Sequence, residues 1–178
     1  MLNDHPSMRG TPSPVDALQR FSHRGLRSGS APPTTLSRLR YGVQIGELYV
    51  LVPAGVVSEI VNDLPVHSMP RCAPWFRGMI NLRGHLVPVF DLRTLLSGEI
   101  LPLARLVVLD RGERAVALAI DSLPESIELH DRVSPPALPG DLGESLRGAY
   151  LEQAQLWLEF DFDSLFRGLG ARAGLDKL

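Results

Sequence analysis

PWFRGMINLRGHLVPVFDLR, residues 74–93, is the stretch on which the reading of this chain turns. Met79 to Leu82 is mostly apolar, Arg83-Gly84-His85 follows with a glycine able to take positive φ, and Leu86 to Phe90 is apolar again. Two apolar runs separated by a short, glycine-containing polar break predict a β-hairpin. An arginine with no acid beside it in sequence is thereby set at a tight turn, a placement that suits binding rather than catalysis.

Outward from this hairpin the pattern stays β. Upstream, Leu39 to Ile45 alternates loosely, Gly46-Glu47 offers a turn, Leu48 to Val52 is rich in β-formers, and Val56 to Val61 repeats the theme. Downstream, Leu92 to Leu96 predicts a helical turn that ends at Gly98, a C-cap position. Leu106 to Leu109 and Ala115 to Ile120 flank Asp110-Arg111-Gly112-Glu113-Arg114 as a second hairpin, and Ser126 to Leu129, Gly148 to Leu151 and Leu156 to Phe160 add short strands. Pro135, Pro136, Pro139 and Gly140 mark a loop, and Asp161 or Asp163 is placed to cap a terminal helix reaching Phe166 or Leu169. Two successive sets of short strands with little helix suggest a pair of small barrels sharing one core, the first over residues 41–98 and the second over 103–160.

Composition sets the bounds. A chain of 178 residues with 44% hydrophobic content can bury one core and is too short for several ordinary domains. Residues 1–37 hold Pro6, Pro12, Pro14, Pro32 and Pro33 with Gly10, Gly25, Gly29 and many Ser and Thr, which predicts a flexible, disordered extension ahead of a domain over 38–171. Within it Val15 to Phe21 has the spacing for a turn or two of helix. Charge is uneven: through Arg40 six arginines face Asp4 and Asp16, a balance of +4, whereas from Tyr41 onward 12 Lys and Arg face 18 Asp and Glu, a balance of −6. An acidic folded part argues against general nucleic-acid binding. Cys72 is the only cysteine, so the chain forms no internal disulfide, and a reducing cytoplasm fits best. The apolar run Leu48 to Val57 is broken by Pro53 and Gly55, and Met1 to Pro14 lacks a signal-type apolar core.

Gly78-Met79-Ile80-Asn81-Leu82-Arg83-Gly84, followed by Val87-Pro88-Val89-Phe90-Asp91-Leu92-Arg93, resembles the hallmark of the CheW-like domain family. Val57-Ser58-Glu59-Ile60, Met69-Pro70 and Pro74-Trp75 extend the likeness, which covers residues 39–169. The resemblance implies a mainly β fold of two five-stranded SH3-like barrels packed together, with a short C-terminal helix. It also implies a cytoplasmic, non-enzymatic adaptor without cofactor. Its expected partners are the regulatory domain of a CheA-like histidine kinase and the cytoplasmic tip of a methyl-accepting chemoreceptor. Val57, Glu59, Gly78, Asn81, Arg83 and Gly84 match the family's partner-facing positions, with Glu59 and Arg83 as an ion pair. The stretches Val52 to Ile60 and Gln155 to Leu158 look closer to the branch controlling type IV pili than to the flagellar coupling proteins, so twitching motility is expected first and flagellar chemotaxis second.

Each of these residues also has a plainer role. Exposed Arg–Glu pairs contribute about 0–1 kcal/mol, and such a pair serves equally to hold two strands together. In favour of recognition, an arginine offers a planar fork of donors that its glutamate keeps oriented. Gly84 is explained by the turn, Val57 by a core strand and Gly78 by a bend before a strand. Asp91 is expected to cap the following turn and Arg93 to face solvent. Trp75 or Phe76 offers an exposed interface anchor, although core packing is expected for at least one of them. Alternation sets Trp157 and Glu159 opposite Leu156, Leu158 and Phe160, a second contact patch. Cys72 with His67 or His85 and Asp91 lacks any local catalytic signature, the histidines at 5, 23, 67, 85 and 130 lack metal-ligand spacing, and neither phosphate-loop pattern occurs. A single-strand-binding barrel is the remaining alternative class, weakened by the few aromatics and the acidic domain.

Overall fold

The computed structural model describes residues 39–52 and 55–173, so the expected extension and its Val15 to Phe21 segment lie outside the described residues. In chain order the elements are β1 (Leu39–Ile45), β2 (Leu48–Val52), β3 (Val57–Asn62), β4 (Phe76–Leu82), β5 (His85–Phe90), α1 (Leu92–Ser97), β6 (Arg105–Leu109) and β7 (Val116–Ile120). There follow β8 (Glu125–Glu128), β9 (Asp131–Val133), α2 (Gly140–Ser145), β10 (Leu146–Glu152), β11 (Gln155–Phe160) and α3 (Phe162–Ala173). The strands form a five-stranded sheet, β3-β6-β7-β5-β4, and a six-stranded sheet, β8-β1-β2-β11-β10-β9.

Strand alternation explains why each sheet curls around a core of its own and also shares a third. On β6 and β7, Leu106, Val108, Ala117 and Ala119 point into a cluster with Val61, Ile80, Val87 and Val89, so every strand of the five-stranded sheet contributes to one interior. The intervening Val107, Leu109, Leu118 and Ile120 join Val43, Ile45, Val50, Val52, Leu158 and Phe160 in the core between the sheets. Leu51, Leu129 and Trp157 fill the inside of the second curl, with Tyr49, Ile127 and Tyr150 against them.

The two curls are repeats. Leaving out β9, the orders β3-β6-β7-β5-β4 and β8-β1-β2-β11-β10 correspond strand for strand, with the parallel pairs β5–β7 and β11–β2 in equivalent places. Phe76 pairs with Phe90 and a bulge precedes Gly78; Leu146 pairs with Phe160 and a bulge precedes Gly148. Asp91 N–H donates to the Trp75 carbonyl at 2.8 Å, and Asp161 N–H to the Ser145 carbonyl at 2.9 Å. Arg77 binds the Asp91 carboxylate and Arg147 that of Asp161, each at 2.8 Å. Both aspartates open a helix: Asp91 Oδ1 accepts from Arg93 N–H and Asp161 Oδ1 from Ser164 N–H.

This repeat corrects the expected barrel boundaries. The hairpin β1–β2 precedes β3 in sequence yet pairs with β8 and β11, while β6–β7 pairs with β3 and β5. Each half of the chain thus lends a hairpin to the other half's sheet, so the strands do not divide into barrels over 41–98 and 103–160. The mainly β, two-sheet architecture stands, with one strand more than expected in the second sheet.

Four side-chain expectations are also settled. Trp75 and Phe76 are both buried, stacked or tilted on Phe90, so neither is an exposed anchor. Trp157 does lie opposite Leu158 and Phe160, but that face is the interior of the second curl, where its ring covers Gly42. Arg93 is buried, held by Asp91 and Asp121, instead of facing solvent. The proline-marked loop gives way to α2, which packs on α3, and α3 runs past Leu169 to Ala173 with Phe162, Leu165, Leu169 and Ala173 on its buried face.

Candidate functional site

The β4–β5 hairpin turns through Arg83 and Gly84 alone, with φ of 53° and 88°. Positive φ at both central residues is the signature of the type I′ turn, whose twist matches that of the flanking strands. Asn81 Oδ1 accepts the Gly84 N–H at 2.9 Å and fixes the tip. A Cβ on Gly84 would meet nothing within 4 Å, so the turn conformation alone requires glycine there.

From this tip Arg83 NH2 donates to Glu59 Oε2 at 2.8 Å. Glu59 belongs to β3 and Arg83 to the β4–β5 turn, and β3 and β4 are the opposite edges of the five-stranded sheet. The ion pair therefore links the two edges across the mouth of the curl. The Arg83 side chain is 77% exposed against 23% for Glu59, so the acid is the seated partner and the guanidinium the projecting one. Behind the pair opens a groove of about 430 Å³, bordered by Leu82, His85 and Val87 on one side and by Asp110, Arg111 and Gly112 on the other. Leu86, next to the tip, is 67% exposed. The groove offers donors, acceptors and a small apolar floor.

The remaining expected positions divide. Asn81 and Gly84 sit at the tip with Arg83. Val57 begins β3 opposite Leu109. Gly78 is enclosed: with φ of 123°, its missing Cβ would lie 2.1 Å from the His67 carbonyl oxygen, so it permits the contact in which His67 and Met79 exchange backbone hydrogen bonds. Gly78 thus supports the hairpin from within and offers no surface of its own. Asp110 and Arg111 at the groove were missed by sequence reasoning, which took them only as a turn; their signal was the run of four charges around Gly112.

Beneath the hairpin a buried polar cluster anchors its base. Asp91 is fully buried, accepts Arg93 Nε and NH2 at 2.9 Å each, and accepts Arg77 NH1 at 2.8 Å. Arg93 NH1 reaches Asp121 Oδ1 at 2.6 Å, and Asp121 Oδ2 accepts the Gly46 N–H at 2.6 Å in the β1–β2 turn. One arginine thereby ties α1 to both sheets. Burial pushes the Asp91 carboxyl upward, but the hydrogen bonds and charges of Arg93 and Arg77 outweigh it and hold the group below its ordinary value. No group of three metal-ligating side chains that could hold an ion occurs among the described residues, and no helix there is long and apolar enough to cross a membrane.

The chain matches the family model described as CheW-like domain over residues 41–169. It is 27% identical over 117 residues to Protein PilI of Pseudomonas aeruginosa, a match covering 64% of this chain and 56% of PilI, so the chain spans little more than half the length of that relative. It is also 27% identical over 129 residues to Chemotaxis protein CheW of Rhizobium meliloti, covering 69% of this chain and 83% of that protein. The crystal structure of scaffolding protein TtCheW from Thermoanaerobacter tengcongensis has the same fold, with a TM-score of 0.63 at 19% identity over 78% of this chain and 92% of that one. The paired curled sheets, the hairpin and the family match over most of the sequence place this chain in the CheW-like domain family.

Proposed function

We propose that the chain is a coupling protein that holds the regulatory domain of a CheA-like histidine kinase and the cytoplasmic tip of a methyl-accepting chemoreceptor in one assembly at the inner membrane. The observation that carries this reading is the Arg83 fork, 77% exposed and braced by Glu59 at the rim of a groove. A guanidinium held in place by its own carboxylate meets a partner with less ordering cost than a free side chain. Asn81 and Gly84 act by fixing the tip, and Val57 by continuing the β3 border on which Glu59 stands. The kinase performs the chemistry, and this chain works by binding alone.

Control of type IV pilus twitching motility is the finer reading, supported by the likeness to PilI and by the stretches Val52 to Ile60 and Gln155 to Leu158. Flagellar chemotaxis is the second, favoured by the fuller coverage of the Rhizobium meliloti CheW. Single-strand binding fits less well, because the Arg83 groove is bordered by no aromatic platform. Size-exclusion co-elution of the purified chain with a cognate kinase regulatory domain and a receptor-tip fragment tests the proposal. A ternary peak is expected; separate elution at micromolar concentrations refutes it.

A further inference from the structure

The internal repeat exposes an asymmetry. In the first half, the side chain of Arg93 fills the space between the head of α1, the β1–β2 turn and the segment after β7, bound to Asp91 and Asp121. The equivalent space in the second half lies between the head of α3, the β6–β7 turn and Gly55–Val56 ahead of β3. There the counterpart of Arg93 is Asp163, and in place of a buried guanidinium the structure has an open groove of about 490 Å³. Phe160, Asp161, Phe162 and Asp163 line one side of it, and Gly55, Val56, Asp110 and Arg114 the other.

We propose that this groove is a docking site for an arginine side chain presented by a partner protein, which occupies from outside the place that Arg93 occupies from within. The first half supplies the template: Asp91 takes a guanidinium edge-on through Nε and NH2, and Asp161 stands at the equivalent position on its helix with the same arginine, Arg147 for Arg77, behind it. Asp91 is fully buried, whereas the Asp161 side chain is 35% exposed toward the groove region. Its two oxygens accept one bond each, from Arg147 and from Ser164 N–H, which leaves lone pairs for a further donor. Asp163 is exposed, and Asp110 accepts the Arg111 N–H at 2.7 Å and pairs with the 83%-exposed Arg114. Asp161 is paired with Arg147 and Asp110 with Arg114, which leaves Asp163 as the groove carboxylate without an ion pair among the described residues, and Phe160 and Phe162 form the apolar border beside it. The hydrogen bonds from Arg147 and the Ser164 N–H, with the charges of Arg147 and Arg167, hold the Asp161 carboxyl below its ordinary value. The site shares Asp110 with the rim of the Arg83 groove but uses no residue of the hairpin, so Asp163 variants test it separately from the coupling reading.

The test is an amide-shift titration of the full chain, isotope-labelled, with N-acetylarginine amide, its lysine counterpart and its uncharged citrulline counterpart. Saturable shifts at Val56, Asp163 and Ser164 are expected for arginine, weaker ones for lysine and none for citrulline. Asp163→Asn, which leaves the Asp161 cap intact, should weaken arginine binding about tenfold, as the loss of one charge-assisted bond does. Asp163→Arg should restore the arrangement of the first half, abolish the titration and raise the melting midpoint. Equal response to arginine and lysine, shifts spread over the acidic surface, or an Asp163→Asn variant that binds as the parent does would each overturn the assignment.

Discussion

Replacing Asp91 by asparagine leaves the shape of the buried cluster almost unchanged but removes its one fully buried charge. Three charge-assisted hydrogen bonds end on this carboxylate, at 2.8, 2.9 and 2.9 Å, from Arg77 and Arg93, and both guanidiniums would be left short of an anion. Arg93 keeps Asp121 and the Pro102 carbonyl, and Arg77 keeps the Leu101 carbonyl, so neither cation is stranded completely. Breaking a buried pair by removing one partner costs about 3–5 kcal/mol, and the remaining contacts set the expectation at about 3 kcal/mol. Urea unfolding should show it as a lower midpoint with an unchanged slope. The pH dependence has a definite sign. Because the folded-state carboxyl lies below its ordinary value of 3.8, its contribution is complete above that value and is lost as pH falls further. Asp91→Asn should therefore flatten the acid limb of the stability profile. A loss below about 1 kcal/mol, the range of a solvated pair, would show that this cluster does not act as a buried clamp between the sheets.

The other expectations are briefer. Gly78→Ala should destabilise by more than Gly84→Ala in thermal melts, since the former meets the His67 carbonyl at 2.1 Å and the latter, at φ 88°, carries only the left-handed backbone cost of about 1–2 kcal/mol. Trp157→Ala should cost about 3–5 kcal/mol by emptying the second curl, measured by urea unfolding. Thr94→Val should be neutral or stabilising in the same assay, because Thr94 Oγ1 is buried without a hydrogen-bond partner among the described residues and its removal relieves an unmet desolvation cost.

Much of this molecule was legible because its local signals agree. Short apolar runs rich in β-formers, set between turn residues, found the β strands other than β9, Gly84 found the turn, and Gly98 with φ of 75° ends α1 where the C-cap pattern put it. What sequence missed was long-range. Nothing in Leu39 to Val52 says that this hairpin will pair with β8 and β11 in preference to its neighbour β3, because strand pairing is set by the shape of the whole core. The repeat itself left a trace, Arg77-Gly78 with Phe90-Asp91-Leu92 against Arg147-Gly148 with Phe160-Asp161-Phe162, which a search for internal similarity would have detected. Arg93 was misplaced because a charged residue on a short helix reads as solvent-facing until Asp121, distant in sequence, is known to lie beside it. Trp157 was placed on the correct face, but a face opposite one core is not exposed when the sheet curls around a second. At the candidate site, the Glu59–Arg83 pair was readable from the resemblance, whereas Asp110 and Arg111 reach the groove only through the strand exchange.

The central claim is that the Arg83 fork serves recognition and contributes little to the fold. It is tested most directly by measuring, on one preparation of Arg83→Ala, both its melting midpoint and its affinity for the kinase regulatory domain. The account predicts a stability within about 1 kcal/mol of the parent, as for any exposed ion pair, together with a clear loss of affinity. Unchanged affinity, or a loss of binding that merely follows unfolding, would contradict it.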